Sequence, residues 1–251
     1  MNPTDPMHAT TIRNAIADSV RVLAFDVFGT VVDWHGSIAR EVDAMKLGVP
    51  GSEFALAWRA GYVPAMARVR SGELGWTRID DLHRMILDGV LETFGVRHLD
   101  EAAKRELNLV WHRLDPWPDA VAGLKRLRNR YTICTLSNGN LGLLADMAKR
   151  AGLPWDLILS AEVFRHYKPD RETYLGVCDV FAIEPAQMML VAAHKDDLRA
   201  AAGCGCRTAF VERPREYGPR ERSDLGRESD LDLHAGDFND LADQLHCPPS
   251  P

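Results

Sequence analysis

The sequence predicts an α/β fold: a doubly wound, Rossmann-like parallel sheet core with an inserted helical cap domain. Three observations predict it. Apolar runs of strand length recur along the chain, "VRVLAFD", "YTICTLSN", "LILSAE", "QMMLVAAH" and "RTAFVE". Helical stretches alternate with them, the pattern of a parallel sheet covered on both faces. From about residue 34 to residue 110 the alternation stops, and that interval is too long for a loop and holds no convincing strand.

In chain order, residues 1–19 form an N-terminal extension and the core opens with residues 20–33, which contain the first strand. "MNPTDPMHATTIRNAIADSV" lacks a charged head followed by an apolar run, so it does not read as a signal peptide. The cap, residues 34–110, reads as helical hairpins: "SIAREVDAMKLG" from Ser37 to Gly48, then "SEFALAWRAGYVPAMARVRSG", then "TRIDDLHRMILDGVLETFG". Thr77 and Asp80 give the last of these a capping-box-like start. An insertion after the first strand lies over the carboxyl ends of the sheet, where open α/β folds bind ligands.

The core resumes over residues 111–246. Its helices are "PDAVAGLKRLRNR" with Pro118 near the start, "NLGLLADMAKRAGLP" stopping at Gly152 and Pro154, and "DRETYLGVCDVF" after Pro169. Right-handed crossovers connect them to the strands. The last stretch is polar and acidic, with a short apolar helix pattern near Phe238 to Leu245, and residues 247–251 are a tail.

Length and composition narrow the function. A chain of 251 residues suits one large domain or a core with a smaller insertion. With 46% hydrophobic and 26% charged residues of mixed sign, it buries a core rather than staying disordered. A formal charge of -6 leaves no basic footprint for nucleic acid, and no run approaches the roughly 18 apolar residues of a membrane span, so neither partner is expected. Five scattered cysteines fit reduced thiols in the cytoplasm, and Cys204 with Cys206 lacks the second pair that a zinc site needs.

Polar residues gather at the carboxyl ends of the strands. Asp26 and Thr30 follow the first strand, Ser137 and Asn138 in "LSNGN" the second, Lys168 stands in "HYKPD", and His194 to Asp197 form "HKDD". Singly each has an ordinary explanation: Asp26 as a turn former, Ser137 and Asn138 as helix caps, Lys168 as a turn residue. Together, in this order, they resemble the haloacid dehalogenase superfamily over nearly the whole chain, from about Val22 to Leu245. The phosphatases of that superfamily carry a second aspartate two residues after the nucleophile, to protonate the leaving alcohol. Here that position is Phe28, which cannot exchange a proton, whereas a halide leaving group needs none. Phe28, Arg59 in "LAWRAGY", "SNGN", and Lys168 followed six residues later by Tyr174 are similar to the type II 2-haloacid dehalogenases.

This resemblance implies a cofactor-free and metal-free hydrolysis of short 2-haloalkanoic acids, haloacetates included, to 2-hydroxy acids. Asp26 would attack C2, displace halide with inversion and form an ester that water then hydrolyses. Lys168 would keep Asp26 ionised, and Asp197, rather than its neighbour Asp196, would pair with Lys168 and position the water. Arg59 and Asn138 would stabilise the halide, with Trp76 as an aromatic wall. Ser137 and the backbone N–H groups of Val27 and Phe28 would hold the substrate carboxylate, and Thr30 would support their loop. Tyr174 stands either at the active site or in the core.

The chain departs from the family pattern at "AAH", Ala192 to His194, where a serine-serine-asparagine run is usual. His194 there is either a hydrogen-bonding replacement or a group facing halide or water. L-stereospecificity and a homodimer also follow from the resemblance. The alternative is a magnesium-dependent phosphatase of the same superfamily, since Asp26 and an acid of the last motif remain available to a metal.

Overall fold

The computed structural model describes residues 6–219, 222 and 224–249. Helix α1 (Pro6–Ser19) leads into strand β1 (Val22–Phe25), followed by β2 (Val32–Asp33). Helices α2 (Trp34–Met45), α3 (Gly51–Ala60), α4 (Tyr62–Arg70), α5 (Ile79–Thr93) and α6 (Glu101–Asn108) come next, and a 3-10 helix at Leu109–Arg113 leads to β3 (Asp115–Pro116). Then follow α7 (Ala120–Arg128), β4 (Thr132–Ser137), α8 (Leu141–Ala151), β5 (Leu157–Ser160), α9 (Ala161–Phe164) and α10 (Arg171–Phe181). The chain continues through β6 (Met188–Ala192), α11 (Lys195–Gly203), β7 (Arg207–Val211), β8 (Leu233–Ala235) and α12 (Phe238–Gln244).

Among the described residues six parallel strands form one sheet in the order β5-β4-β1-β6-β7-β8. The strands are apolar on both faces because both are covered. Leu23 and Phe25 of β1 join the cluster with Ile133, Met189, Leu124 and Phe238, while Val22 and Ala24 face Leu136, Leu190, Val177 and Leu198. This residue-by-residue alternation is the period of a pleated strand, and full burial explains the near-continuous apolar runs. With β1 between β4 and β6, the chain order reverses at the carboxyl ends of these three strands, which opens a crevice there.

Helices α2 to α6 all lie between β2 and β3, which pair antiparallel, so the chain leaves and re-enters the core side by side. Trp117 fastens this neck, its N–H donating to Val31 O and its indole Nε1 to Gly29 O. The apolar cluster on one face of the sheet continues into the helices through Phe54, Trp58, Leu82 and Trp111.

Three local expectations differ from the structure. The long segment after Ser52 breaks at Gly61 into α3 and α4. The capping box at Thr77 and Asp80 does not form: Thr77 bonds Gly75 O, α5 starts at Ile79, and Asp80 instead accepts from Asn140 Nδ2 at 2.9 Å and meets His112 Nε2 at 3.1 Å. A distant amide has claimed the carboxylate that a local cap would use. The acidic stretch near the C-terminus supplies β8, whose three residues are too few for a period of two to be visible.

Candidate active site

The chain reaches the site by extending β1. Asp26 N donates to Val191 O at 3.0 Å, which carries the carboxylate just past the sheet edge. Gly29 then turns the chain at φ +84°, and a Cβ there would lie 2.3 Å from Glu216 Oε1. Only glycine meets both demands. Val27 O accepts from Val31 N and Val32 N, whereas among the described residues no hydrogen bond uses the N–H of Val27 or Phe28. These two donors beside Asp26 are open to an anion.

A chain of charged hydrogen bonds holds the carboxylates. Lys168 Nζ lies 3.2 Å from Asp26 Oδ1 and 2.7 Å from Asp197 Oδ2, and the Tyr174 hydroxyl donates to Asp197 Oδ1 at 2.6 Å. Thr30 donates to Asp26 Oδ2 at 2.6 Å and accepts from Ala193 N, which ties the loop after β1 to the end of β6. Burial alone would raise the Asp26 pKa, but the Lys168 charge and the hydrogen bonds of His194 and Thr30 outweigh it and hold the carboxyl well below the usual range. Burial likewise opposes the Lys168 charge, and Asp197 and Asp26 raise its pKa nonetheless. Asp26 is therefore an anion and Lys168 a cation across the working pH range.

His194 follows β6 and stands between two acids, with Nδ1 3.1 Å from Asp26 Oδ2 and Nε2 2.8 Å from Glu216 Oε1. A carboxylate oxygen only accepts, so both ring nitrogens must donate and the ring is an imidazolium. Its pKa agrees: burial pulls it down, but Glu216 and Asp26 push it up to about 10. Glu216 is fully buried, and Trp34 Nε1 and Arg222 also donate to it.

Asp26, Lys168, His194 and Asp197 line a cavity of about 210 Å³ with Phe28, Arg59, Tyr62 and Asn138. That is below the usual range of pockets for drug-sized ligands, a size that suits a small molecule. Arg59, at the end of α3, stacks its guanidinium 4.1 Å above the Tyr62 ring, and its buried Nε has no hydrogen-bond partner among the described residues. No salt bridge among the described residues uses this cation. Phe28 is 3% exposed, packs edge-on to Trp111 at 5.6 Å, and comes so close to Gly139 that a Cβ there would lie 3.2 Å from its ring. Behind it, burial pushes His83 down to about 3, leaving a neutral ring stacked on Trp111. The wall that Phe28 and Trp111 form beside Asp26 is apolar and carries no carboxyl group.

The structure thus gathers Asp26, Val27, Phe28, Thr30, Arg59, Asn138, Lys168, His194 and Asp197 around one crevice, though not all in the expected way. Asn138 Oδ1 accepts from Lys168 N at 2.8 Å and its Nδ2 lies 3.2 Å from Met66 Sδ, so it also anchors the lysine loop. Ser137 is fully buried and its Oγ accepts from Gly139 N, a turn-forming role. Tyr174 reaches the site only through Asp197. Asp196 also borders the cavity, but its side chain is fully exposed and pairs with Arg199. Trp76 is not brought to the cavity: it stacks on Tyr167 at 4.9 Å, and Tyr62 provides the aromatic surface instead. Tyr62 and Glu216 went unmarked in the sequence. Tyr62 had a faint signal, three residues after Arg59 and so one helical turn away; Glu216 had none.

No group of three or more His, Cys, Asp and Glu among the described residues is arranged to hold a metal ion. No helix among them is long and apolar enough to cross a membrane.

Comparison with known proteins adds to this geometry. Residues 20–205 match the family model of haloacid dehalogenase-like hydrolases. The (S)-2-haloacid dehalogenase 4A of Burkholderia cepacia is 30% identical over 217 residues, covering 80% of this chain and 88% of the relative. Among solved structures, the L-2-haloacid dehalogenase PA0810 is 47% identical with a TM-score of 0.86, over 90% of this chain and 99% of its own. The defluorinating L-2-haloacid dehalogenase Rha0230 is 44% identical with a TM-score of 0.87, over 91% and 96%.

Proposed function

The chain belongs to the haloacid dehalogenase-like hydrolases, and from that membership we infer that it hydrolyses the carbon–halogen bond of short-chain 2-haloalkanoic acids, giving 2-hydroxy acids. The relatives named as 2-haloacid dehalogenases support the reaction class, and the site supports the steps.

The substrate carboxylate takes the open N–H groups of Val27 and Phe28, which points the halogen toward Arg59. Asp26 Oδ1 is the nucleophile, because its only hydrogen bond among the described residues is to Lys168, while Oδ2 already takes Thr30 and His194. It attacks C2 opposite the halogen, a C–O bond forms, and the C–X electron pair leaves as halide with the configuration inverted. The Arg59 cation meets the charge that builds on the halogen. Water then attacks the Asp26 carbonyl carbon, with Asp197 accepting one of its protons; the acyl C–O bond breaks, the departing alkoxide oxygen takes that proton from Asp197 to give the 2-hydroxy acid, and the regenerated carboxyl releases the other. One halide and one proton leave per water consumed, and Asp26 is restored.

Phe28 carries this reading, because a ring fills the place where a phosphate-ester mechanism needs an acid beside the nucleophile. The chemistry asks nothing of a cofactor. A cytoplasmic location goes with it, and the free state of all five cysteines supports that. The test is halide release from chloro-, bromo- and fluoroacetate and both 2-chloropropionate enantiomers, with EDTA present and Asp26→Asn alongside. Release that survives EDTA and vanishes in the variant is expected. No release, with magnesium-dependent phosphate release from simple esters instead, would replace this reading by the phosphatase one.

A further inference from the structure

We propose that His194 is the charged oxyanion donor of the ester-hydrolysis half-reaction, and that Glu216 is the positioning residue that orients it. The inference rests on the dehalogenase reading and concerns only its second step. The two oxygens of Asp26 are unequal. Among the described residues Oδ1 meets Lys168 alone, whereas Oδ2 meets both the Thr30 hydroxyl at 2.6 Å and His194 Nδ1 at 3.1 Å. If Oδ1 forms the bond to C2, Oδ2 becomes the carbonyl oxygen of the ester. When water adds to that carbonyl carbon, the electron pair of the C=O bond moves onto Oδ2. The two donors already on Oδ2 then face a full negative charge, and they need no rearrangement to meet it.

The support behind His194 matches this role. Glu216 occupies Nε2 at 2.8 Å from a completely buried position, and it is itself held by Trp34 Nε1 and Arg222. Gly29, in the turn of the nucleophile loop, leaves the space that Glu216 Oε1 fills. The ring therefore cannot turn Nδ1 away from Oδ2 without breaking a buried charged hydrogen bond. During halide displacement the same imidazolium draws electron density from the nucleophile, so it favours hydrolysis over alkylation.

The experiment separates the two half-reactions with His194→Ala, His194→Asn and Glu216→Gln in the full chain, using the best haloacid of the wild-type panel. Rapid-quench halide release and intact-mass detection of esterified enzyme are read together. His194→Ala is expected to release about one halide per active site in a fast burst and then turn over about 100-fold more slowly, with the ester accumulating. His194→Asn, which returns a neutral donor to the same place, should recover part of the turnover and shorten the ester's life. Glu216→Gln should accumulate ester to a smaller extent; should it fail to fold, the His194 pair decides. If His194→Ala slows burst and turnover together, or turns over normally without ester, the inference is overturned while the dehalogenase reading stands. If the wild type releases no halide, both fall.

Discussion

The Tyr174 hydroxyl lies 2.6 Å from Asp197 Oδ1, and it occupies the oxygen that Lys168 leaves free. A carboxylate held at both oxygens has one orientation, and Asp197 is aimed by a residue that does not line the cavity. Tyr174→Phe removes one charged hydrogen bond and no volume. It should lower stability by about 1–2 kcal/mol and kcat by about tenfold with little change in KM, measured by denaturant melts and halide-release kinetics.

Phe28→Asp would restore the second acid of the superfamily's phosphatases. The new carboxyl would stand in an apolar wall, against Trp111 and close to an ionised Asp26. Lost ring packing, desolvation and like-charge repulsion all act in one direction, so unfolding free energy should fall by about 3 kcal/mol and haloacid turnover should collapse. A variant as stable as the wild type by chemical denaturation would contradict this account of the wall.

Stability should depend on pH through His194. Burial opposes its charge, yet Glu216 and Asp26 push its folded pKa up to about 10 from an ordinary value near 6.5. Its contribution is complete below about 6.5 and is lost as pH rises through about 10, because the folded state alone keeps the proton in that window. Asp26 behaves oppositely: its depressed pKa contributes above about 3.9 and the contribution is lost in stronger acid. Denaturant midpoints should thus decline between pH 6.5 and 10, and His194→Ala should flatten that limb.

Gly29→Ala tests the turn. The change forces a side chain into φ +84° and toward Glu216. It should cost about 2 kcal/mol or more and lower activity by displacing Glu216 from His194, read as a lower melting temperature together with slower halide release.

Much of this was legible in the linear chain, for local reasons. Buried parallel strands leave continuous apolar runs, and β1, β4, β5, β6 and β7 each lie within one of them. Asp26, Lys168, Asp197 and Phe28 were visible because the short motifs that hold them resemble, in their order, those of the haloacid dehalogenase superfamily. What escaped notice had no local pattern: β8 is three residues long, and Asp80 abandoned its helix cap for Asn140, 60 residues away.

By itself the sequence determined the alternation of strands and helices, the helical stretch after the first strand, and an acid followed by a ring where a second acid could stand. Only the tertiary structure decided which polar groups meet. It set Tyr62 rather than Trp76 against the cavity, turned Tyr174 and Ser137 into supports, and joined His194 to Glu216 across 22 residues. Secondary structure follows from periods of two and 3.6 residues, which a chain displays along its length. The charge on an imidazolium follows from distances of about 3 Å between segments that only the packed sheet brings together.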